Sequence, residues 1–189
     1  MLAGVVATVD ALRPERPQLR WARPDQWHLT LAFLGDVAEE AVPDLQRRLE
    51  RAATRRAGFR LRLAGAGTFG PAVRARVLWL GIGGDREALV RLAAGCSAAA
   101  RRAGVSVEER RYRPHLTILR AGQPTDLRHL VERLRPFSGV EWRVDGIRLV
   151  QSHLGPVPAY ETVGSWPLRT VESPSGVPAS PGPASGYQA

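Results

Sequence analysis

Lysine is absent from this 189-residue chain, so all 27 basic residues are arginine, set against 18 acidic ones for a formal charge of +9. Such a surplus, beside 19 glycines, 15 prolines and abundant alanine, is what GC-rich coding produces without selection for a ligand. The charge therefore permits an anionic partner such as nucleic acid without requiring one. Cysteine is limited to Cys96, which excludes an internal disulfide and any need for an oxidising compartment. No apolar run approaches the roughly 18 residues that cross a bilayer, which argues against a membrane partner. The N-terminus also lacks the charged flank, apolar stretch and cleavage site of a secretion signal, so the expected location is cytoplasmic. A content of 44% hydrophobic and 24% charged residues excludes disordered and collagenous classes for most of the chain.

What is present reads as one mixed domain over residues 1–170. Leu2, Val5, Val6, Val9 and Leu12 recur at helical spacing and stop before Pro14 and Pro17. Helices are also expected over residues 36–56, 85–103 and 125–134, the third with Asp85 as N-cap and Gly104 as its stop. Strands are expected where apolar runs are short and closed by breakers: residues 27–35, 59–63, 77–82, 112–120, 142–150 and 160–168. Residues 171–189, rich in Pro, Gly, Ala and Ser, have almost nothing to bury and read as a disordered tail.

Two of the strand segments carry nearly the same letters. His28-Leu29-Thr30-Leu31 and His115-Leu116-Thr117-Ile118 point to two related half-domains. In a strand, residues two apart share a face, so each copy would present one imidazole and one hydroxyl to the same side while its apolar residues point inward. If a pseudo-twofold axis relates the halves, two His and two Thr meet in one groove. Paired imidazoles suit phosphodiester cleavage, one taking a proton from water and the other giving one to the leaving oxygen. Threonine hydroxyls can donate to non-bridging phosphate oxygens. A zinc site, the rival use of paired histidines, lacks partners: there is no Cys pair and no His-x-x-x-His, and threonine is a poor ligand. No metal and no cofactor are expected.

The remaining candidates have plainer readings. His129 and His153 are expected at the surface or in packing, Trp79, Trp142 and Trp166 in the core, and Cys96 as a small buried hydrophobe. Trp21 and Trp27 border the expected groove, with packing as their main role. Arg110, Arg111 and Arg113, beside the second motif, could rim it with positive charge.

On these motifs the sequence resembles the RNA 2′,3′-cyclic phosphodiesterases, or LigT-like 2′-5′ RNA ligases, of the 2H phosphoesterase superfamily, over about residues 2–168. The likeness extends through Leu19-Arg20-Trp21, residues 27–35, Arg113-Pro114-His115-Leu116-Thr117, and the closing pattern Leu149-Val150-Gln151-Ser152 to Gly155 and Tyr160. It implies an α+β, bilobal fold, with two pseudo-twofold-related antiparallel sheets and outer helices around a central cleft. It implies opening of terminal RNA 2′,3′-cyclic phosphates to 2′-phosphates, with ATP-independent 2′-5′ joining in some members. By the same resemblance His28 and His115 are catalytic, His115 as base and His28 as acid, Thr30, Thr117 and Arg120 bind phosphate, and Phe33 stacks on a base. Arg120 and Phe33 each stand five residues beyond a histidine, an odd offset that strict alternation would turn away from the groove.

The family's chains open on an apolar strand, whereas the first residues here already match the helix that follows it. The expectation is an unpaired edge beside the His28 segment, whether the strand is encoded upstream or missing. A small cyclic nucleotide of the ADP-ribose type as substrate, and a non-catalytic RNA-binding protein, are the competing readings. A monomer is expected, since two lobes of one chain complete the groove.

Overall fold

A computed structural model describes residues 2–153 and 159–170. Helix α1 spans Leu2–Leu12 and buries Val5, Val9 and Leu12, its apolar stripe. Helix α2 spans Val42–Thr54, later than the sequence pattern suggests, because a 3-10 turn at Glu39–Ala41 precedes it and Pro43 sits in its first turn, where a missing N–H costs nothing. Its apolar stripe is Leu45, Leu49 and Ala53. Helix α3 spans Arg86–Arg102 and stops at Gly104, whose φ of 77° is the left-handed conformation of a helix terminator. Helix α4 is short, Arg128–Leu134, and buries Leu130 and Leu134.

Among the described residues seven strands form two antiparallel sheets. The larger has the order β1-β4-β3-β2-β5, comprising Arg20–Trp21, His115–Thr125, Ala75–Gly84, Phe59–Thr68 and Trp142–Val144 respectively. The smaller pairs β6 (Gly146–His153) with β7 (Ala159–Pro167). The expected strand over 142–150 is thus two, broken at Asp145, whose carbonyl accepts from the Leu168 N–H as the chain passes between sheets. One face of the large sheet is apolar: Leu61, Leu63, Leu78, Leu80, Leu116 and Ile118 are each at most 4% exposed and join one core with the helices. The opposite face carries Arg60, Arg62, Trp79, Gly81, Gly83, His115 and Thr117, as period-two alternation requires.

Two expectations need correction. Residues 27–35, read as a strand, join no ladder among the described residues, although the alternation of exposed His28 and Thr30 with half-buried Leu29 and Leu31 survives. Strict alternation also fails in β4. Leu78 faces Leu119, but the next β3 residue, Trp79, faces Thr117, so Ile118 is an extra residue in the ladder. This bulge leaves Ile118 and Leu119 both fully buried and reverses the parity of the residues that follow directly, Arg120 among them. The 171–189 tail and Gly155 lie outside the described residues.

The turn from β3 into α3 fixes the sheet against the helices. Gly84 has a φ of 83°, and a Cβ there would stand 2.7 Å from the Arg60 carbonyl oxygen. The Arg60 and Asp85 backbones hold each other: Asp85 N–H donates to Arg60 O at 2.8 Å, and Arg60 N–H to the Asp85 carboxylate at 3.0 Å. Gly84→Ala is expected to destabilise the fold by about 1–3 kcal/mol in chemical denaturation. Gly70→Ala, at a φ of 77° but in open space, should cost less.

Candidate active site

Each motif histidine is held in the same way. The His28 Nδ1–H donates to the carbonyl of Gln26 at 2.8 Å, and the His115 Nδ1–H donates to the carbonyl of Arg113 at 2.7 Å, in both cases two residues back. A carbonyl only accepts, so each Nδ1 carries the hydrogen, and Nε2 is the atom left for chemistry. Around His115 the ladder supplies rigidity, with Gly81 as its β3 partner. Around His28, where no ladder exists, two indoles pin the segment: Trp21 donates to Arg16 O and Trp27 to Ala22 O, each at 3.2 Å. A 3-10 turn at Pro24–Gln26 then aims the Gln26 carbonyl, and the Gln26 side chain accepts from the Arg23 N–H at 3.1 Å.

His28, Thr30, His115, Thr117 and Arg120 come together around one cleft of about 400 Å³. Arg120 reaches it because of the bulge at Ile118, which restores to the cleft face a side chain that its odd offset would have turned away. Phe33 has no such correction. It is 64% exposed and is not among the residues that line the cleft. Trp79, expected in the core, instead shares the cleft face with His115, their ring centroids 6.4 Å apart. It lies across Gly67, where a Cβ would collide with the indole at 2.5 Å. Trp142 and Trp166 do pack against the core. His129 contacts Glu15 at 3.1 Å and His153 contacts Glu161 at 3.3 Å, both away from the cleft.

Several site residues carry no role in the sequence pattern. Tyr160 meets His28 edge-on at 5.2 Å, and Phe69 meets His115 edge-on at 4.8 Å, so an aromatic ring stands edge-on to each imidazole. Arg20 and Arg23 add positive charge to the lining. Arg20 stands directly opposite Arg120 across the β1-β4 pair. Like charges in directly opposed positions repel, and an anion between them relieves the repulsion. Alternation from Trp21, whose side chain is buried, could have placed Arg20 on the open side. Phe69, in a glycine-rich connection, leaves no periodic signal.

The electrostatics separate the two histidines. Burial pushes the His115 pKa below the ordinary imidazole value, and the nearby charges of Arg120, His28 and Arg110 push the same way, against the opposing hydrogen bond to Arg113. His115 is therefore neutral at pH 7, its Nε2 lone pair available. His28 is exposed to solvent at the cleft. Among the described residues, no three His, Cys, Asp or Glu side chains cluster as a metal site.

The sequence profile of the 2′-5′ RNA ligase superfamily matches residues 3–156. The chain is 34% identical over 169 residues to an RNA 2′,3′-cyclic phosphodiesterase of Aeropyrum pernix, covering 86% of this chain and 94% of that one. It is also 34% identical over 158 residues to one from Geobacillus stearothermophilus, where it spans 80% of this chain but 48% of the longer relative. A crystal structure of a protein from Thermus thermophilus superposes with a TM-score of 0.73 at 32% identity, covering 88% of this chain and 92% of that one. A profile match over most of the described residues, together with a full-length relative and the shared bilobal α+β fold, shows that the chain belongs to the 2′-5′ RNA ligase superfamily.

Proposed function

We propose that this protein hydrolyses the 2′,3′-cyclic phosphate ends of RNA to 2′-phosphates by two-histidine acid/base catalysis. The observation that carries the proposal is the matched pair of Nδ1–H to carbonyl bonds, which offers two Nε2 atoms to one cleft beside two hydroxyls and a guanidinium. The relatives' names supply the substrate class. In this reading His115, neutral at pH 7, removes a proton from water as the water oxygen bonds to phosphorus. The bond from phosphorus to O3′ breaks, and protonated His28 donates its Nε2 proton to O3′. Thr30 and Thr117 donate to the non-bridging oxygens, and Arg120 neutralises their charge. A 5′-hydroxyl in place of water would give a 2′-5′ linkage, the cyclic ester supplying the leaving group without ATP. One chain provides the whole site, which supports a monomer, and the cytoplasm is the compartment this reading assigns.

The test uses a short RNA ending in a 2′,3′-cyclic phosphate, in EDTA, with products read by mass and end chemistry. The wild type should form a 2′-phosphate, and His28→Ala and His115→Ala should each lower kcat by about 10²–10⁴. Thr30→Val and Thr117→Val should each cost up to about 10²–10³. Unchanged turnover in either histidine variant would remove it from the mechanism. Turnover of a cyclic nucleotide but of no RNA would move the substrate to the small-nucleotide class, and binding of RNA without turnover would leave a binding protein.

The pH profile should show His115. Its deprotonation generates the base, so kcat/KM should fall as pH drops through a pKa below 6.5, its usual value. Arg120→Gln removes a cation that disfavours the imidazolium, so the pKa of His115 should rise and the acid limb move to higher pH. Imidazole NMR titration of the two proteins checks the direction independently of turnover.

A further inference from the structure

We infer that the open face of the large sheet carries a second element of substrate recognition, a strip formed by Arg62, Arg60 and Arg143 that holds the phosphates of the RNA strand leading to the cyclic end. The inference rests on the proposed activity for its substrate class, and on the sheet register for its geometry.

The register puts the strip in line with the catalytic histidine. His115 pairs with Gly81 on β3, two residues further Gly83 pairs with Arg62 on β2, and Arg60 pairs with Arg143 on β5. Paired residues share a face, and so do residues two apart in a regular strand, so all three arginines stand on the face of His115, Thr117 and Trp79. Crossing from β4 to β5 spans three strand spacings, about 14 Å, which extends recognition well past the terminal nucleotide.

Glycine keeps this path bare. Neither Gly81 nor Gly83 adds a side chain between His115 and Arg62, and Arg62 lies across Gly83, where a Cβ would stand 3.3 Å from its Cγ and Nε. Arg143 similarly leans over Gly58, its guanidinium 3.2 Å from where a Cβ would be. All three arginines are exposed, and none makes an ion pair among the described residues. Glu141, on the same alternation as Arg143, is exposed and pairs with none of them.

The absence of acid separates the strip from compositional drift. The five strands of this sheet contain Arg20, Arg60, Arg62, Arg76, Arg120 and Arg143, and not one Asp or Glu, although the whole chain has 18 acidic residues. On the helices, by contrast, several arginines stand beside acids, as Arg47 and Arg48 do with Asp44, and Arg91 with Glu87. Coding bias supplies arginine but does not by itself keep acids out of all five strands; Glu141 and Asp145 stand just beyond the ends of β5, and the nearby Asp85 carboxylate accepts from the Arg60 backbone N–H. A row of guanidinium groups without acidic partners, continuous with a phosphate cleft, is complementary to a polyanion and has no use for a mononucleotide.

The experiment compares a nucleoside 2′,3′-cyclic phosphate with a hexanucleotide ending in the same group. It uses the wild type, Arg60→Gln/Arg62→Gln/Arg143→Gln, and a charge-matched control, Arg55→Gln/Arg101→Gln/Arg102→Gln, on exposed helix ends. Binding of a labelled hexanucleotide with a 2′-phosphate end, followed by anisotropy against salt, gives a readout that needs no turnover. The strip variant should raise KM for the hexanucleotide by on the order of 10-fold at unchanged kcat and lower the salt slope by about 0.7 for each phosphate no longer neutralised. It should leave the mononucleotide unaffected, and the control should behave as wild type. Equal KM for the two substrates, or equal losses in strip variant and control, overturns the strip and leaves the activity standing. Strip-dependent hexanucleotide binding with no turnover of either substrate overturns the activity and leaves the strip.

Discussion

The site depends on one short-range interaction made twice: an imidazole Nδ1–H held by the carbonyl two residues before it. A neutral histidine has two tautomers and a free ring torsion, and either freedom would spoil a proton relay that needs Nε2 at a fixed point. The carbonyl bond removes both, since only an N–H can meet it, and its distance sets the ring's direction. The intervening residue is Trp27 in one copy and Pro114 in the other. The repeat is therefore a repeat of backbone geometry, with the side chain between adapted to each surrounding.

Those surroundings differ. His115 begins a strand in the interior of a five-stranded sheet, while His28 lies outside any ladder among the described residues. Ladder hydrogen bonds fix the first, whereas two indole N–H bonds and a 3-10 turn fix the second. The difference reaches the chemistry. Burial and neighbouring charge keep His115 deprotonated, while exposed His28 meets solvent at the cleft. In the proposed mechanism the two residues of the same type take opposite halves of an acid/base cycle, with the lowered pKa of His115 favouring its role as base.

How much of this can be read from letters follows from the range of each interaction. The His-x-Thr pairs are legible because strand alternation is local, and α1, α3 and most strands are legible because periodicity and a terminating glycine are local too. Arg120 shows where local reading ends. Its offset of five contradicts its position in the cleft unless one residue is inserted in the ladder, and that insertion is visible only in the pairing of β3 with β4. Phe33 shares the offset but lies on a segment that joins no ladder among the described residues, so no register fixes the face of its exposed ring. Trp79 escapes the pattern for a related reason: apolar neighbours on both sides hide which face of a strand a large ring occupies, and it is Gly67 on the adjacent strand that makes room for it.

Net charge and placed charge answer different questions here. A surplus of +9 with no lysine reflects how the chain is encoded, and on the helices several arginines, such as Arg48 and Arg91, stand beside acids that neutralise them. The large sheet departs from that pattern, with arginine on each of its five strands and carboxylate on none. Repulsion among guanidinium groups on adjacent strands destabilises a sheet slightly, by tenths of a kcal/mol to about 1 kcal/mol per directly opposed pair. Arg60 opposite Arg143 bears that repulsion. Acids on the strands themselves would relieve it, but they would also repel a phosphate chain from the face that holds His115. A sheet that keeps Arg60, Arg62 and Arg143 without acidic partners on one open face is arranged for an anion supplied from outside, and register carries that information where composition cannot.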